Sequence, residues 1–408
     1  MNVRRSAAVL AAVAVFGPAA APAAFADDTS PSPAALPSGL YGTSDPKFDG
    51  VFRQSYALLA QDTVGVKPAA KAVHWLTGQQ CASGGFAPYR ADASEPCDSK
   101  TPVDSNSTAA AAQALAALGD DDKSLAKAVD RSVDWLKSVQ NQDGGWGYNP
   151  GQPSDANSTG LVVGALVAAG ENPARLKSQK GRSAYDALPK LALDCGKNGG
   201  AFGLADAKTK KLSPNADATA AGVLGSLGKG LVVSPAPKAD DSAPKCAKPD
   251  TASQAASNGA GYLLKTLKAG DDHLTGAGDV PDVGNTADSV VALAAAGQRE
   301  QAEKSARWLA GNSAKWAKDS GPAAYAQLIF AAHATGMDPR DFGGADLVKQ
   351  LGAQGPPAAT ASDSSAADAD RDEKKDEGVN IWWIVGVGMV AGIGIGFLYS
   401  ANRRKQQP

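Results

Sequence analysis

Histidine is nearly missing from this chain, with 3 among 408 residues, and there are only 4 cysteines. Metal centres are built mainly from those two side chains and carboxylates, and no His/Cys/Asp group stands at ligand spacing, so no metal site is expected. An excess of either charge is absent too. Lys and Arg number 40 against 42 Asp and Glu, a net charge of -2. A nucleic-acid binder needs a clear basic excess or patch, so that class is excluded. Aromatic residues are only 6%. What is plentiful is small: 45 glycines, and a 43% apolar fraction made largely of alanine. That fraction excludes a chain disordered throughout. Its alanine content points to closely packed helices rather than a Val/Ile-rich sheet.

The two ends read as targeting segments. Residues 1–26 have the form of a signal peptide: Arg4 and Arg5, a short apolar stretch from Ala7 to Phe16, and the small-x-small site Ala24-Phe25-Ala26. Residues 27–44 read as a disordered lead. Residues 353–378, rich in Pro, Ala, Ser and Asp and closing on the charge run Asp370 to Glu377, read as a flexible stalk. The uncharged run Ile381 to Tyr399 is long enough to cross a bilayer, so a transmembrane helix is expected at 379–400. Arg403, Arg404 and Lys405 follow in a tail at 401–408. The positive-inside rule puts that tail in the cytoplasm and the bulk of the chain outside, at the cell surface.

Between residues 45 and 352 the sequence repeats itself. Trp135-Leu136 follows Trp75-Leu76 by the same sixty residues that separate Gly84-Gly85-Phe86 from Gly144-Gly145-Trp146, and Gly199-Gly200-Ala201-Phe202 is a third copy. Each copy leads to a polar cluster and then an alanine-rich stretch. The clusters are Asp104 to Thr108, Asp155 to Thr159, Asn215 to Thr219 and Gly284 to Asp288, and the stretches end at Gly119, Gly170, Gly228 and Gly297. Asp/Asn/Ser at the start and Gly at the end are helix stop signals. Periodicity gives about twelve helices, near 49–62, 68–80, 105–119, 123–140, 157–170, 181–194, 215–229, 251–269, 284–297, 299–313, 321–336 and 343–352. Odd ones are Ala/Gly-rich and suit a crowded inner ring. Even ones are amphipathic and suit an outer ring with one wet face.

The segment Trp135-Leu136-x-x-x-Gln140-Asn141-Gln142-Asp143-Gly144-Gly145-Trp146-Gly147 resembles the Gln-Trp repeat of squalene–hopene cyclases and related terpene cyclases. Protein prenyltransferase β-subunits and cobalamin carriers of the intrinsic-factor type share the same α6/α6 toroid. The resemblance implies an all-α fold: an α/α toroid of about six helix pairs, preceded by the signal peptide and followed by one C-terminal transmembrane helix. It implies little about activity. Class II cyclases protonate their substrate with the central acid of an Asp-x-Asp-Asp motif. Asp217 matches that acid, but Asn215 and Ala218 replace its neighbours. The competing role for Asp217 is a helix N-cap, as Asn106 and Asn157 are expected to be in other copies. The zinc site of prenyltransferases has no counterpart here. The four cysteines, exported, are expected to pair. Three pairings are open; among them Cys81–Cys97 would close the first Gly-Gly loop, and Cys195–Cys246 would tie the third helix pair to the next outer helix.

Parallel inner helices gather their N-termini at one rim, where free backbone N–H groups and long loops suit a polar ligand. Candidate contacts there are Asp104, Asn106, Asp155, Asn157, Asn215, Asn285 and Asp288, with the loop aromatics Tyr89, Trp146, Tyr148 and Phe202. The functional expectation is a membrane-anchored surface toroid that binds a ligand rather than catalysing. The concrete case is a corrinoid, cobalamin, handed to a membrane transporter, with a second surface chain as lid because this chain has no β domain of its own. Two alternatives stand beside it: a terpene-cyclase or prenyltransferase-like enzyme, and an envelope scaffold protein. No resident cofactor is expected.

Overall fold

The computed structural model describes residues 36–119, 122–197, 199–206, 208–235 and 244–358. The segments read as signal peptide, transmembrane helix and cytoplasmic tail lie outside them. Among the described residues no helix is long and apolar enough to cross a membrane.

Six helices form the inner ring: α1 (Gly50–Thr63), α3 (Ser105–Leu118), α5 (Ala156–Ala168), α7 (Ala216–Ser226), α9 (Val283–Ala295) and α12 (Pro322–Thr335). Each packs against the next, and α12 packs back against α1, so the ring closes. Behind them stand α2 (Ala70–Gly78), α4 (Lys123–Ser138), α6 (Ala184–Leu191), α8 (Ala252–Ala269), α10 (Arg299–Asn312) and α13 (Leu347–Gly352), each against its inner partner. The periodicity misses one helix, α11 (Ala314–Ser320), which starts where α10 ends and fills the way to α12. A short antiparallel hairpin, β1 (Gly203–Ala205) with β2 (Leu212–Pro214), precedes α7.

Small side chains make the crowding possible. Ala109, Ala110, Ala111, Ala112 and Leu115 of α3 are all buried. At the α5–α7 contact a Cβ on Gly160 would lie 2.2 Å from the Ala221 carbonyl oxygen, and one on Gly225 would lie 2.5 Å from Gly160 Cα, so the two backbones touch where only glycine fits. α4 shows the outer pattern: Leu125, Ala128, Val129, Ser132, Val133 and Leu136 are buried, while the remaining positions carry most of its Lys and Asp.

The Gly-Gly-aromatic loops work as hydrogen-bonded seals. The N–H of Phe86 donates to Thr108 Oγ1 (2.9 Å), and those of Trp146, Phe202 and Leu274 donate to Oγ1 of Thr159, Thr219 and Thr286 (3.0 Å each). The carbonyls of the same four residues accept from the N–H groups of Asp104, Asp155, Asn215 and Asp282. Each of these four repeats therefore locks its aromatic or leucine across the first turn of its inner helix. Gly84 and Gly144, both at φ 96°, bring the loop against backbone carbonyls, where an added Cβ would lie 2.1 Å from Arg131 O and 2.2 Å from Ser183 O.

Of the three possible cysteine pairings, the chain forms Cys81–Cys97 and Cys195–Cys246. Two boundaries move. Residues 36–44, read as part of a disordered lead, belong to the body: Tyr41 is fully buried, its N–H donating to Gln54 Oε1 (2.8 Å) and its hydroxyl to Gln61 Oε1 (3.0 Å). The start of the stalk packs as well, with Gly42 N–H donating to Gln354 O (2.7 Å) and Gly355 lying against the Tyr41 ring. One buried aromatic outweighs a locally polar composition that reads as disorder.

Candidate functional site

The N-termini of the inner helices meet at one rim. Val51 N–H of α1 bonds Pro88 O in the loop before α3, and Ser105 N–H of α3 bonds Tyr148 O in the loop before α5. Asp104, Asp155 and Asn215 are the true N-caps of α3, α5 and α7, their side chains accepting from the N–H groups of Ser107, Ser158 and Ala218. Their Oδ1 atoms are engaged by the helix start, Asp104 Oδ2 is buried without a hydrogen-bond partner, and none of the three residues lines the cavity. Burial pushes the Asp104 carboxyl up to about 6 against the pull of its Ser107 hydrogen bond.

Asn106, Asn157 and Asp217 are not caps. They stand two residues further along, and all three line a central cavity of about 190 Å³ to which every inner helix contributes. Asn157 Nδ2 donates to Asp217 Oδ2 at 2.5 Å, joining the neighbouring helices α5 and α7. The Oδ1 atoms of Asn106 and Asn157 are buried without a hydrogen-bond partner, so a ligand donor in the cavity would find two free acceptors. Burial raises the Asp217 carboxyl, the Asn157 hydrogen bond opposes the rise, and the charges of Asp282 and Asp155 add to it.

The fourth polar cluster is displaced from where its sequence puts it. α9 is capped by Asp282, whose Oδ1 accepts from Asn285 N–H (3.2 Å); Asn285 turns its own Nδ2 back to Asp282 Oδ2 (2.7 Å) and does not line the cavity. Asp288 therefore lies on the second turn, deep inside the ring, with part of its side chain open to the cavity. Gln327 Nε2 of α12 reaches both its oxygens, at 3.0 and 2.9 Å. Burial, followed by the charge of Asp217, pushes Asp288 up to about 7.

Aromatic side chains complete the lining, but not the expected ones. Phe52 and Tyr56 of α1 stack with centroids 4.4 Å apart, and Phe330 of α12 meets Tyr56 edge-on at 5.7 Å. Trp146 is buried in its seal, its Nε1–H donating to Leu136 O (2.8 Å), and Phe202 is likewise buried. Tyr89 stacks on Trp75, and Tyr148 is exposed, so all four loop aromatics lie off the cavity. The sequence did hold a signal for Phe52 and Tyr56: a one-turn spacing on an inner helix. Gln113 and the loop Lys229-Gly230-Leu231 line the C-terminal end; Gln113 Oε1 accepts from Leu231 N–H (2.9 Å) and its Nε2 donates to Leu161 O (3.2 Å). No group of three or more His, Cys, Asp or Glu side chains able to hold a metal occurs among the described residues.

A closed ring of six inner helices, six outer partners and Gly-Gly-aromatic seals defines an α/α toroid, similar in its repeat to the squalene–hopene cyclase and prenyltransferase-like toroids. Residues 103–174, covering α3 to α5 and the Trp146 seal, match the family model of the squalene-hopene cyclase C-terminal domain. Drimenyl diphosphate synthase from Streptomyces showdoensis is 43% identical over 53 residues, 13% of this chain and 10% of that protein. The chain thus spans about a tenth of that relative's length. Among solved structures, a protein from Actinoplanes shares 14% identity with a TM-score of 0.46, over 74% of this chain and 94% of that one.

Proposed function

We propose that this protein is a terpene-cyclase-like enzyme that takes the end of an isoprenoid chain into its central cavity and protonates an alkene there. The observation that carries the proposal is the joint presence of carboxyl groups and the Phe52, Tyr56 and Phe330 rings around one cavity. A protonated carboxyl supplies the proton, and aromatic faces stabilise the resulting cation. A cavity of about 150 Å³ holds benzene, so 190 Å³ takes about seven or eight carbons, between one and two isoprene units, with the rest of the chain leaving through the mouth. The matched relative is itself named for an isoprenoid diphosphate product. A corrinoid draws less support: pockets that enclose drug-sized ligands measure about 300–1,000 Å³. With residues 379–400 as its anchor, the ring would stand at a membrane surface, where isoprenoid chains partition.

The test is turnover by the purified full-length chain, offered farnesyl diphosphate and squalene separately, with products resolved by gas chromatography and mass spectrometry. A cyclised or isomerised product that a boiled sample lacks is expected. If neither substrate is converted, and neither shifts the thermal midpoint, the proposal fails.

A further inference from the structure

We propose that Asp288, and not Asp217, is the proton donor of this cavity, with Gln327 as its positioning residue and Asp217 kept as a carboxylate. The proposal rests on the enzymatic reading above and names a residue outside the segment that resembles the cyclase acid motif.

The placement of the two acids separates their roles. Asp217 occupies the second position of α7, inside the first turn. There the helix dipole favours an anion, and Asn157 Nδ2 donates to it at 2.5 Å. Asp288 stands six residues beyond the cap of α9. Relative to the helix starts it lies four residues deeper than Asp217, about 6 Å at 1.5 Å per residue. No free helix N–H reaches that depth, and Asp288 forms no ion pair among the described residues; Lys229 lines the opposite, C-terminal end of the cavity. An acid without a counter-cation in a poorly solvated site stays neutral.

The titratable groups facing Asp288 are Tyr56 from α1, Asp217 from α7 and Asp282 from its own helix; Gln327 from α12 is neutral. Both carboxylates oppose its ionisation. Burial raises Asp217 as well, but Asp217 sits in the first turn of its helix with Asn157 donating to it, whereas Asp288 lies beyond the free N–H groups of its helix. Asp288 shares the cavity wall with Tyr56 and Phe330. A proton delivered there creates the cation beside aromatic faces rather than beside the rim amides. Gln327 Nε2 spans both carboxyl oxygens and fixes the plane of the group; its donation favours the ionised form, but burial and the charge of Asp217 outweigh it.

In the step itself the Asp288 O–H bond breaks and leaves its electron pair on the carboxylate. The alkene π pair forms the new C–H bond, and positive charge appears on the more substituted carbon. Loss of a proton from the adjacent carbon to water ends the reaction, and that proton restores Asp288, so the net change is an isomerisation or cyclisation with nothing consumed.

The experiment uses the full-length chain as wild type, Asp288→Asn, Asp288→Glu and Asp217→Asn, each first shown to keep the wild-type helical circular dichroism. The infrared carbonyl stretch of a protonated carboxyl is recorded at neutral pH, where Asp104, held at about 6, is mostly ionised. The band is expected in wild type, weaker but present in Asp217→Asn because loss of that charge lets Asp288 ionise sooner, and absent in Asp288→Asn. With farnesyl diphosphate as probe, Asp288→Asn should lower turnover by about a hundredfold or more, with partial rescue in Asp288→Glu. Asp217→Asn should lower turnover far less than Asp288→Asn and move its alkaline limb to lower pH. Loss of the band in Asp217→Asn but not in Asp288→Asn overturns the assignment, as does turnover that survives Asp288→Asn and dies in Asp217→Asn. If wild type converts nothing, the enzymatic reading fails, and the infrared band alone decides which acid holds the proton.

Discussion

Replacing Asp288 by Asn should make the protein more stable above neutral pH and leave it unchanged in acid. In the unfolded chain this carboxyl ionises near its ordinary 3.8; in the folded ring it ionises only near 7. Between those values the folded state holds a proton that the unfolded state has released, so raising the pH favours unfolding. The gap is about three pKa units, at about 1.4 kcal/mol each, which sets a ceiling of about 4 kcal/mol. Asp288 keeps part of its surface open to the cavity, and solvation there lowers the figure to about 2–3 kcal/mol. Asn does not titrate, and its Oδ1 can still accept from Gln327. The assay is urea unfolding of both proteins at pH 4 and pH 8. The variant should match wild type at pH 4 and exceed it by that amount at pH 8. Asp104 and Asp155, also raised by burial, titrate in both proteins and cancel in the difference. A stability difference that does not change with pH, or a variant weaker than wild type at pH 8, would refute the reasoning.

Gly160→Ala adds a Cβ 2.2 Å from the Ala221 carbonyl; the overpacking should outweigh the gain in helix propensity and cost about 2 kcal/mol net in urea unfolding. Trp146→Phe keeps the ring but strands the Leu136 carbonyl that accepts from its Nε1, and should cost about 1–3 kcal/mol by the same measurement. Replacing Cys195 and Cys246 with Ser opens a loop of 51 residues and should cost about 4 kcal/mol; opening the 16-residue loop of Cys81–Cys97 should cost about 3 kcal/mol, so the order of the two thermal midpoints checks the assignment.

Much of this ring was legible in one dimension. The sixty-residue spacing, the Gly-Gly-aromatic seals and the polar helix starts are set by local hydrogen bonds, and twelve of the thirteen helices of the described residues follow from them. The cap register was less legible. Asp104 and Asn106 are both good N-cap residues, and only the seal decides between them: Thr108, Thr159, Thr219 and Thr286 each sit four residues past the cap. That threonine was the available signal for Asp282, and using it would have moved Asp288 from the rim into the second turn.

The amino-acid sequence by itself determined the helices, the seals and the resemblance to a cyclase toroid, because each depends on groups within a few residues of one another. Only the tertiary structure decided that α12 closes on α1, which cysteines pair, and which polar residues face the axis. The direction in which a helix points its side chains is set by how it rotates against its neighbours. The bonds from Gln327 to Asp288 and from Asn157 to Asp217 join helices 39 and 60 residues apart. A cavity enclosed by all six inner helices exists only once the ring has closed.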